Sequence, residues 1–406
     1  MPARGQVLML TWEYPPKIVG GISRVAQELS EALVEQGWRV IVVTASHPGA
    51  PEQESVNGVE VTRVDPGGDD SDFVAWVKRL NSAMEKAADE ILAGIDAATP
   101  VVLHAHDWLT HACAVALKEK HKLPLISTVH ATEHGRHGGI YGETSQYIHE
   151  VERKLVYDSW RVIVCTEFMK EQVAATLGAP ADKMDVIPNG VNAEKFEFGF
   201  SDEERRAFRA RFAAPDEKIV FFVGRMVPEK GAHLLIDAMM TVRALQKNAR
   251  LVIAGGGYRD HLVGFSRFIR MGRDVTFTGF IPDSDLLKLY RSIDCAVYPS
   301  LYEPFGIVAL EAMAAKAPVV VSDIGGFREI VRHEINGIQT YAGNSESIAW
   351  GILRCLQDPE SAQRRVEAAY KDATEIFNWE RIASATGSVY DRVWSEYLAS
   401  GWGQGN

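Results

Sequence analysis

Cysteine is scarce. The 406 residues contain four, Cys113, Cys165, Cys295 and Cys355, far apart and in no CxxC pairing. That spacing excludes a disulfide framework and a zinc knuckle. Cys113, Cys165 and Cys295 lie inside apolar runs and read as buried structural thiols. Long apolar runs are also missing. None approaches the roughly 20 residues needed to cross a bilayer. The start, MPARGQVLMLTWEYPP, has an apolar run (VLMLT) too short for a signal peptide. A cytoplasmic chain without stable membrane insertion is expected. Positive charge is in deficit, with 43 Lys and Arg against 54 Asp and Glu and a net charge of −11. A nucleic-acid partner, which needs a basic face, is therefore excluded. A phosphate site must be made by a few placed cations, since the overall field repels anions. Low-complexity segments and an HExxH motif are absent too. So is a GxGxxG fingerprint: the loop after the first apolar run reads PPKIVGG, and the second run, VIVVTASHPG, carries no acidic residue at its end. A dinucleotide-dependent dehydrogenase is disfavoured on both counts.

What the chain does have is a repeating pattern. The apolar runs VLMLT (from Val7), VIVVT (from Val40), VVLH (from Val101), LISTV (from Leu125) and VIVC (from Val162) alternate with helical periodicities. Ile22, Val25, Ala26, Leu29 and Leu33 share one face of a helix over Ile22–Gln36, with Gly37 as its stop. The pattern restarts near residue 218 with IVFFVG, LVIAGG, VTFTGF, CAVYPS and PVVVSD. Continuous β-branched strands between helices indicate parallel sheets covered on both faces. The expected fold is α/β, with an N-terminal Rossmann-like domain over 1–195 and a C-terminal one over 196–378. The charged stretch from Glu194 to Glu217 reads as the linker between them. An amphipathic helix near 379–400 carries Ile382, Val389, Tyr390, Val393 and Trp394; its apolar face suits packing on either domain, and it is assigned to the N-terminal one. Ligands of open parallel sheets bind beyond the carboxyl ends of the strands, so two such sheets are expected to face one another across a cleft.

Three loops at those strand ends carry candidate chemistry. In PPKIVGG, Gly20 and Gly21 precede a helix, where backbone N–H groups can meet a phosphate; a plain tight turn reads as well. In FFVGRMVPEKG, Gly224 permits a sharp turn, and Arg225 and Lys230 can grip a diphosphate by a planar fork and a point charge. The alternative is a solvated Arg225–Glu229 pair. In EPFGIVALE, Glu303 lies in a turn and Glu311 about one turn into the helix that follows. The N–H groups of Gly306, Ile307 and Val308 are free to bind phosphate or sugar oxygens. Here the alternative is that Glu303 caps the helix and Glu311 faces solvent.

These motifs, taken together, resemble the retaining glycosyltransferases of the GT-B fold, family 4, close to bacterial glycogen-synthase-like α-glucosyltransferases. The likeness spans nearly the whole chain: WEYPPKIVGG, HAHDWLT, STVHATEHGR, VIPNGV, VGRMVPEKG, TGF, PSLYEPFGIVALEAMAA and SDIGG. By that resemblance Gly20 and Gly21 approach the donor phosphates, and Arg225 and Lys230, on the loop opened by Gly224, hold the diphosphate. Glu303 and the backbone of Phe305, Gly306, Ile307 and Val308 contact the donor sugar. Glu311 takes the ribose, His130 sits beside the reacting sugar, and the base lies near Gly279 and Phe280. Asn189 and Gly190 fall between the domains. The implied partners are a nucleotide-sugar donor, which is a substrate, and a glucan or other sugar acceptor. No cofactor and no metal are implied.

His106, Asp107 and Trp108 end a strand and suit acceptor binding by hydrogen bonds and stacking; core packing of Trp108 is the other reading. Eight histidines cluster between His104 and His149, but no ligand set of metal-binding spacing completes them. Asp70-Ser71-Asp72 is a DxD, the metal motif of another glycosyltransferase fold, and sits in GGDDSD, which reads as a polar loop. The resemblance favours glucose from ADP-glucose or UDP-glucose passing to an α-1,4-glucan or maltooligosaccharide. The alternative is a mannosyl- or other hexosyltransferase with a lipid or small-molecule acceptor. The mixed charge of WVKRLNSAMEKAADEILAGI weighs towards a soluble one.

Overall fold

The apolar runs become the central strands of two sheets. The computed structural model describes residues 4–96 and 99–402. The chain divides into two compact units. One comprises the residues up to Asn189 and those from Trp379 onward, and the other is Gly190–Asn378.

The first unit holds an eight-stranded sheet. Its strands are β1 (Gln6–Leu10), β2 (Arg39–Ala45), β3 (Gln53–Val56), β4 (Val59–Val64), β5 (Val101–His106), β6 (Leu125–Val129), β7 (Arg161–Val164) and β8 (Met184–Val186). They lie in the order β3-β4-β2-β1-β5-β6-β7-β8. All pairs are parallel except the β3–β4 hairpin. That hairpin turns on Asn57 and Gly58, both at positive φ, as a two-residue turn of this hand requires. Leu8 lies opposite both Ile41 and Leu103, and all three are buried from both faces. The helix Gly21–Glu35 buries Val25, Ala26, Leu29 and Leu33 and ends before Gly37 at φ +86°.

The amphipathic C-terminal segment forms the helix Trp379–Ser400 and packs on the first unit. Tyr390 meets Trp38 edge-on at 5.3 Å, and its hydroxyl is hydrogen-bonded to His104 Nδ1 at 2.7 Å. Trp379 Nε1 donates to Glu28.

The second unit holds six parallel strands: β9 (Lys218–Val223), β10 (Ala249–Ala254), β11 (Val275–Gly279), β12 (Cys295–Tyr298), β13 (Val319–Ser322) and β14 (Ile338–Thr340). Their order is β11-β10-β9-β12-β13-β14. The charged stretch read as a linker folds onto this unit. Phe196 and Phe208 are buried, Ser201 and Glu204 form a capping box for the helix Asp202–Arg209, and Arg209 pairs with Asp294 at 2.6 Å. All four cysteines are buried thiols. Among the described residues no helix is long and apolar enough to cross a membrane.

In each sheet the order reverses at one place, between β1 and β5 in the first unit and between β9 and β12 in the second. Loops leaving adjacent strands diverge there and leave a crevice at the carboxyl edge.

Candidate active site

In the second unit the reversal point brings together the loops after β9 and β12. Two glycines set this geometry. Gly231 has φ +70°, and a Cβ there would lie 1.9 Å from the Pro299 carbonyl oxygen. The loop after β9 therefore presses against the end of β12, and Leu301 N–H donates to the Glu229 carbonyl at 2.7 Å. Gly255, at φ +126°, would place a Cβ 1.9 Å from the Gly224 carbonyl, so the loop after β10 lies equally close on the other side.

This packing delivers Lys230 to Glu303. The ammonium lies 2.7 Å from Glu303 Oε2, which also accepts from Ser300 Oγ at 3.1 Å. Glu303 is 7% exposed, and its carbonyl accepts from Gly326 N–H at 2.9 Å. Arg225 points outward, its guanidinium half exposed and 3.7 Å from Glu229. The surface pair anticipated as an alternative thus exists in loose form, while Lys230 is engaged at the strand ends.

The helix Ile307–Ala314 starts at Gly306, at φ +112°, with no side-chain cap, so Glu303 does not cap it. Gly306 must be glycine on a second count, because a Cβ would meet the Phe327 ring at 2.3 Å. Phe305 is buried, with its ring edge-on to Phe377 at 6.3 Å. Glu311 is 7% exposed and accepts from the buried Tyr290 hydroxyl at 2.8 Å, so it does not face solvent. Burial and the adjacent carboxylate push the Tyr290 phenol well above its usual range. Phe280 follows Gly279 (φ +73°) at the end of β11, and its ring is 70% exposed.

The first unit gathers polar groups at its own carboxyl edge. Asp107 follows β5 with φ +58° and ψ 174°, an uncommon conformation for a residue with a side chain. Its Oδ1 accepts from His130 N–H at 2.7 Å, and its Oδ2 is buried 3.7 Å from the Arg136 guanidinium with no hydrogen bond. His106 Nδ1 bonds to His130 Nε2 at 2.9 Å, and the two rings stack at 5.2 Å. Burial lowers the pKa of His104 (to about 3), His106 and His130, so all three are neutral near pH 7. Trp108 is 5% exposed and walled edge-on by Phe73, so its ring belongs to the core and offers no stacking face.

The glycine loop differs from the expected open cradle. Gly20 N–H donates to Glu13 Oε2 at 2.9 Å, and Val19 N–H does so at 2.6 Å. Glu13 is 1% exposed, and burial raises its carboxyl pKa. Nothing in its spacing marked it as functional; its one sequence signal is a carboxylate three residues past the end of an apolar strand. Glu152 also lay outside the sequence reading. Both its oxygens accept from Glu133 N–H, at 2.8 and 3.0 Å, with Arg136 at 3.9 Å, and burial pushes its carboxyl up to about 8.

Several histidines of the cluster are spread over separate carboxylates: His111 on Asp158, His121 on Asp89, His137 on Glu133. Among the described residues no group of three His, Cys, Asp or Glu side chains is placed to hold a metal ion. Within the DxD, Asp72 caps the helix Phe73–Ala93 through Ala75 N–H.

Comparison with known proteins agrees with this architecture. Residues 19–195 match the family described as Glycosyltransferase Family 4, and residues 204–372 match Glycosyl transferases group 1. An uncharacterized glycosyltransferase of Methanocaldococcus jannaschii is 43% identical over 387 residues, covering 95% of this chain and 97% of that protein. The glycogen synthase of Mycobacterium tuberculosis is 36% identical over 399 residues, covering 95% and 94%. Among solved structures, the sucrose-phosphate synthase of Thermosynechococcus elongatus superposes with a TM-score of 0.82 at 24% identity, over 97% of this chain and 100% of that one. The catalytic domain of starch synthase IV from Arabidopsis thaliana, bound to ADP and acarbose, gives 0.77 at 18% identity, over 96% and 99%. The two α/β units, the two family matches that tile the chain and the full-length relatives lead to one conclusion: the chain is a glycosyltransferase of family 4, with the GT-B fold.

Proposed function

We propose that this enzyme is a retaining hexosyltransferase that moves glucose from ADP-glucose or UDP-glucose to the end of an α-1,4-glucan or maltooligosaccharide. The observation that carries the proposal is the Lys230–Glu303 pair beside the helix N-terminus at Gly306, which has no side-chain cap. Lys230, Arg225 and that N-terminus stabilise negative charge as it grows on the leaving diphosphate. Glu303, with the backbone from Phe305 to Val308, holds the donor sugar's hydroxyls, Glu311 the ribose and Phe280 the base. In the first unit Gly20 and Gly21 approach the donor phosphates, His130 attends the reacting sugar, and His106 and Asp107 bind the acceptor. The buried Oδ2 of Asp107 suits a sugar hydroxyl, which would supply the hydrogen bond it lacks.

Retaining glycosidases set two carboxylates about the scissile bond, one of them as nucleophile. Here Glu303 is committed to Lys230 and Ser300, which suits binding rather than attack. The step is therefore a same-face substitution. The bond from the anomeric carbon to the diphosphate oxygen breaks, the acceptor oxygen bonds to that carbon, and its proton passes to the leaving phosphate. The glucan acceptor is supported by the Mycobacterium tuberculosis relative, named a glycogen synthase, and by the starch synthase structure with ADP and acarbose. The reaction is proposed to need no cofactor, the nucleotide sugar being a substrate, and is assigned to the cytoplasm.

The test is donor consumption with ADP-glucose, UDP-glucose and GDP-mannose, each with and without maltooligosaccharides, reading released nucleotide and product length. Chain extension from a glucose donor is expected. Turnover from GDP-mannose alone, or from any donor only with a small-molecule or lipid acceptor, would overturn the glucan assignment in favour of another hexosyl transfer.

A further inference from the structure

We infer that Glu13 is the positioning residue of the glycine loop, its buried carboxylate holding the backbone of Val19 and Gly20 so that the loop meets the donor in one shape. The functional half of this inference rests on the proposed glucosyl transfer, in which that loop approaches the donor phosphates.

The loop from Pro15 to Gly21 has little else to hold its middle. At its start Lys17 N–H donates to the Tyr14 carbonyl at 2.9 Å, and the Lys17 carbonyl accepts from Ser23 Oγ at 2.9 Å. Val19, at the crest, is about half exposed and buries little apolar surface. The carboxylate of Glu13 then takes two N–H groups in succession, at 2.6 and 2.9 Å. Its own backbone is fixed, since Thr11 Oγ1 donates to the Glu13 carbonyl at 3.0 Å. Gly20 is the N-cap of the helix Gly21–Glu35 and has no side chain to cap it. Glu13, on the segment that follows β1, supplies the acceptor that an aspartate or serine at that position would give. Hydrogen bonds to an ionised carboxylate are the strong kind, so two of them on adjacent amides define the backbone there. The Val19 and Gly20 amides are thus occupied within the chain, and the loop serves a phosphate through its shape and through the residues from Gly21 onward.

The experiment compares the full-length wild type with Glu13→Ala and Glu13→Gln. Amide hydrogen exchange is read over residues 15–21, and KM and kcat are measured with UDP-glucose and ADP-glucose as donors. In Glu13→Ala the Val19 and Gly20 amides should exchange at least about ten-fold faster, and the donor KM should rise about ten-fold with kcat within about two-fold, the signature of lost ground-state positioning. Glu13→Gln keeps the volume and one acceptor oxygen, and should bring the donor KM back to within about three-fold of wild type. That variant also carries the test should the alanine protein not fold. Unchanged exchange at Val19 and Gly20 would overturn the contact. Faster exchange with an unchanged donor KM, or a fall in kcat that glutamine does not rescue, would overturn the positioning role. A wild type that consumes neither UDP-glucose nor ADP-glucose would sink the functional half and the proposed glucosyl transfer together, while the exchange rates would still decide whether Glu13 holds the loop.

Discussion

Replacing Lys230 by methionine separates what this residue does for the fold from what it does for the reaction. The ammonium lies 2.7 Å from Glu303 Oε2, and the same oxygen also accepts from the Ser300 hydroxyl at 3.1 Å. Methionine keeps the apolar stem and removes the charge. A carboxylate that is 7% exposed then remains without its cation. Breaking a buried pair from one side costs about 3–5 kcal/mol. The lysine side chain is itself 22% exposed, so solvent screens part of the interaction, and the lower figure of about 3 kcal/mol is expected. Adding Glu303→Gln to Lys230→Met removes the stranded charge and should recover about 2 kcal/mol. Activity should not follow stability. Lys230→Met should lose about 2–4 kcal/mol in kcat/KM, and the double variant should stay at least as low. The assay is amide hydrogen exchange of β9 and β12, whose slowest amides report the opening of the second unit, set beside donor turnover. Equal exchange in wild type and Lys230→Met would refute the claim that the pair is desolvated. Recovery of turnover in the double variant would refute the catalytic assignment.

Three further outcomes follow from other parts of the structure. Gly231→Ala combines a left-handed φ with a Cβ 1.9 Å from the Pro299 carbonyl; it should cost more than the about 1–2 kcal/mol of the φ strain alone, because the backbone must shift, and lower kcat/KM about 100-fold by displacing Lys230, whereas Gly37→Ala, with open space around it, should lose only about the φ strain in stability. Glu152 titrates near 8 in the folded chain against an ordinary 4.5, so between those values the folded state holds a proton that the unfolded chain has lost. Wild-type stability relative to Glu152→Gln should therefore fall as pH rises through that window, by about 3–5 kcal/mol, and level off above it; a constant difference in urea midpoints from pH 5 to 8 would contradict this. Turnover should persist in EDTA, because Arg225 and Lys230 carry the charge compensation; complete loss restored by manganese would overturn that role for them.

Each of the ten apolar runs read from the sequence supplies a strand, and nine of those strands are almost wholly buried, β11 alone being mostly half-buried. The four strands that went unread are short or half-exposed. β8 and β14 have three residues each, β3 is an exposed edge, and β4 alternates as VEVTRV, the two-sided pattern of a sheet margin rather than its centre. Asn57-Gly58 was a usable hairpin signal between two of them. At the candidate site, the sequence placed Lys230 and Glu303 on loops at strand carboxyl ends, and the structure brings the two side chains together at 2.7 Å. Glu311 was singled out as well, but its burial was not readable, since it depends on Tyr290, contributed by a separate helix. Glu13 and Glu152 were hidden for the same reason: a carboxylate's partner amides six, seven or nineteen residues away leave no periodic trace.

The return of the helix Trp379–Ser400 to the first unit has a consequence for synthesis. The second unit is a contiguous run of chain inserted within the first, and the hydroxyl that satisfies buried His104 comes from Tyr390, 286 residues later. On the ribosome the second unit can therefore complete itself before the first does, reversing the usual amino-to-carboxyl order. Until residue 390 emerges, the first sheet waits with an indole, a buried imidazole and one flank of the helix Gly21–Glu35 uncovered. That interval, rather than either finished unit, is where a chaperone or a protease has its opportunity.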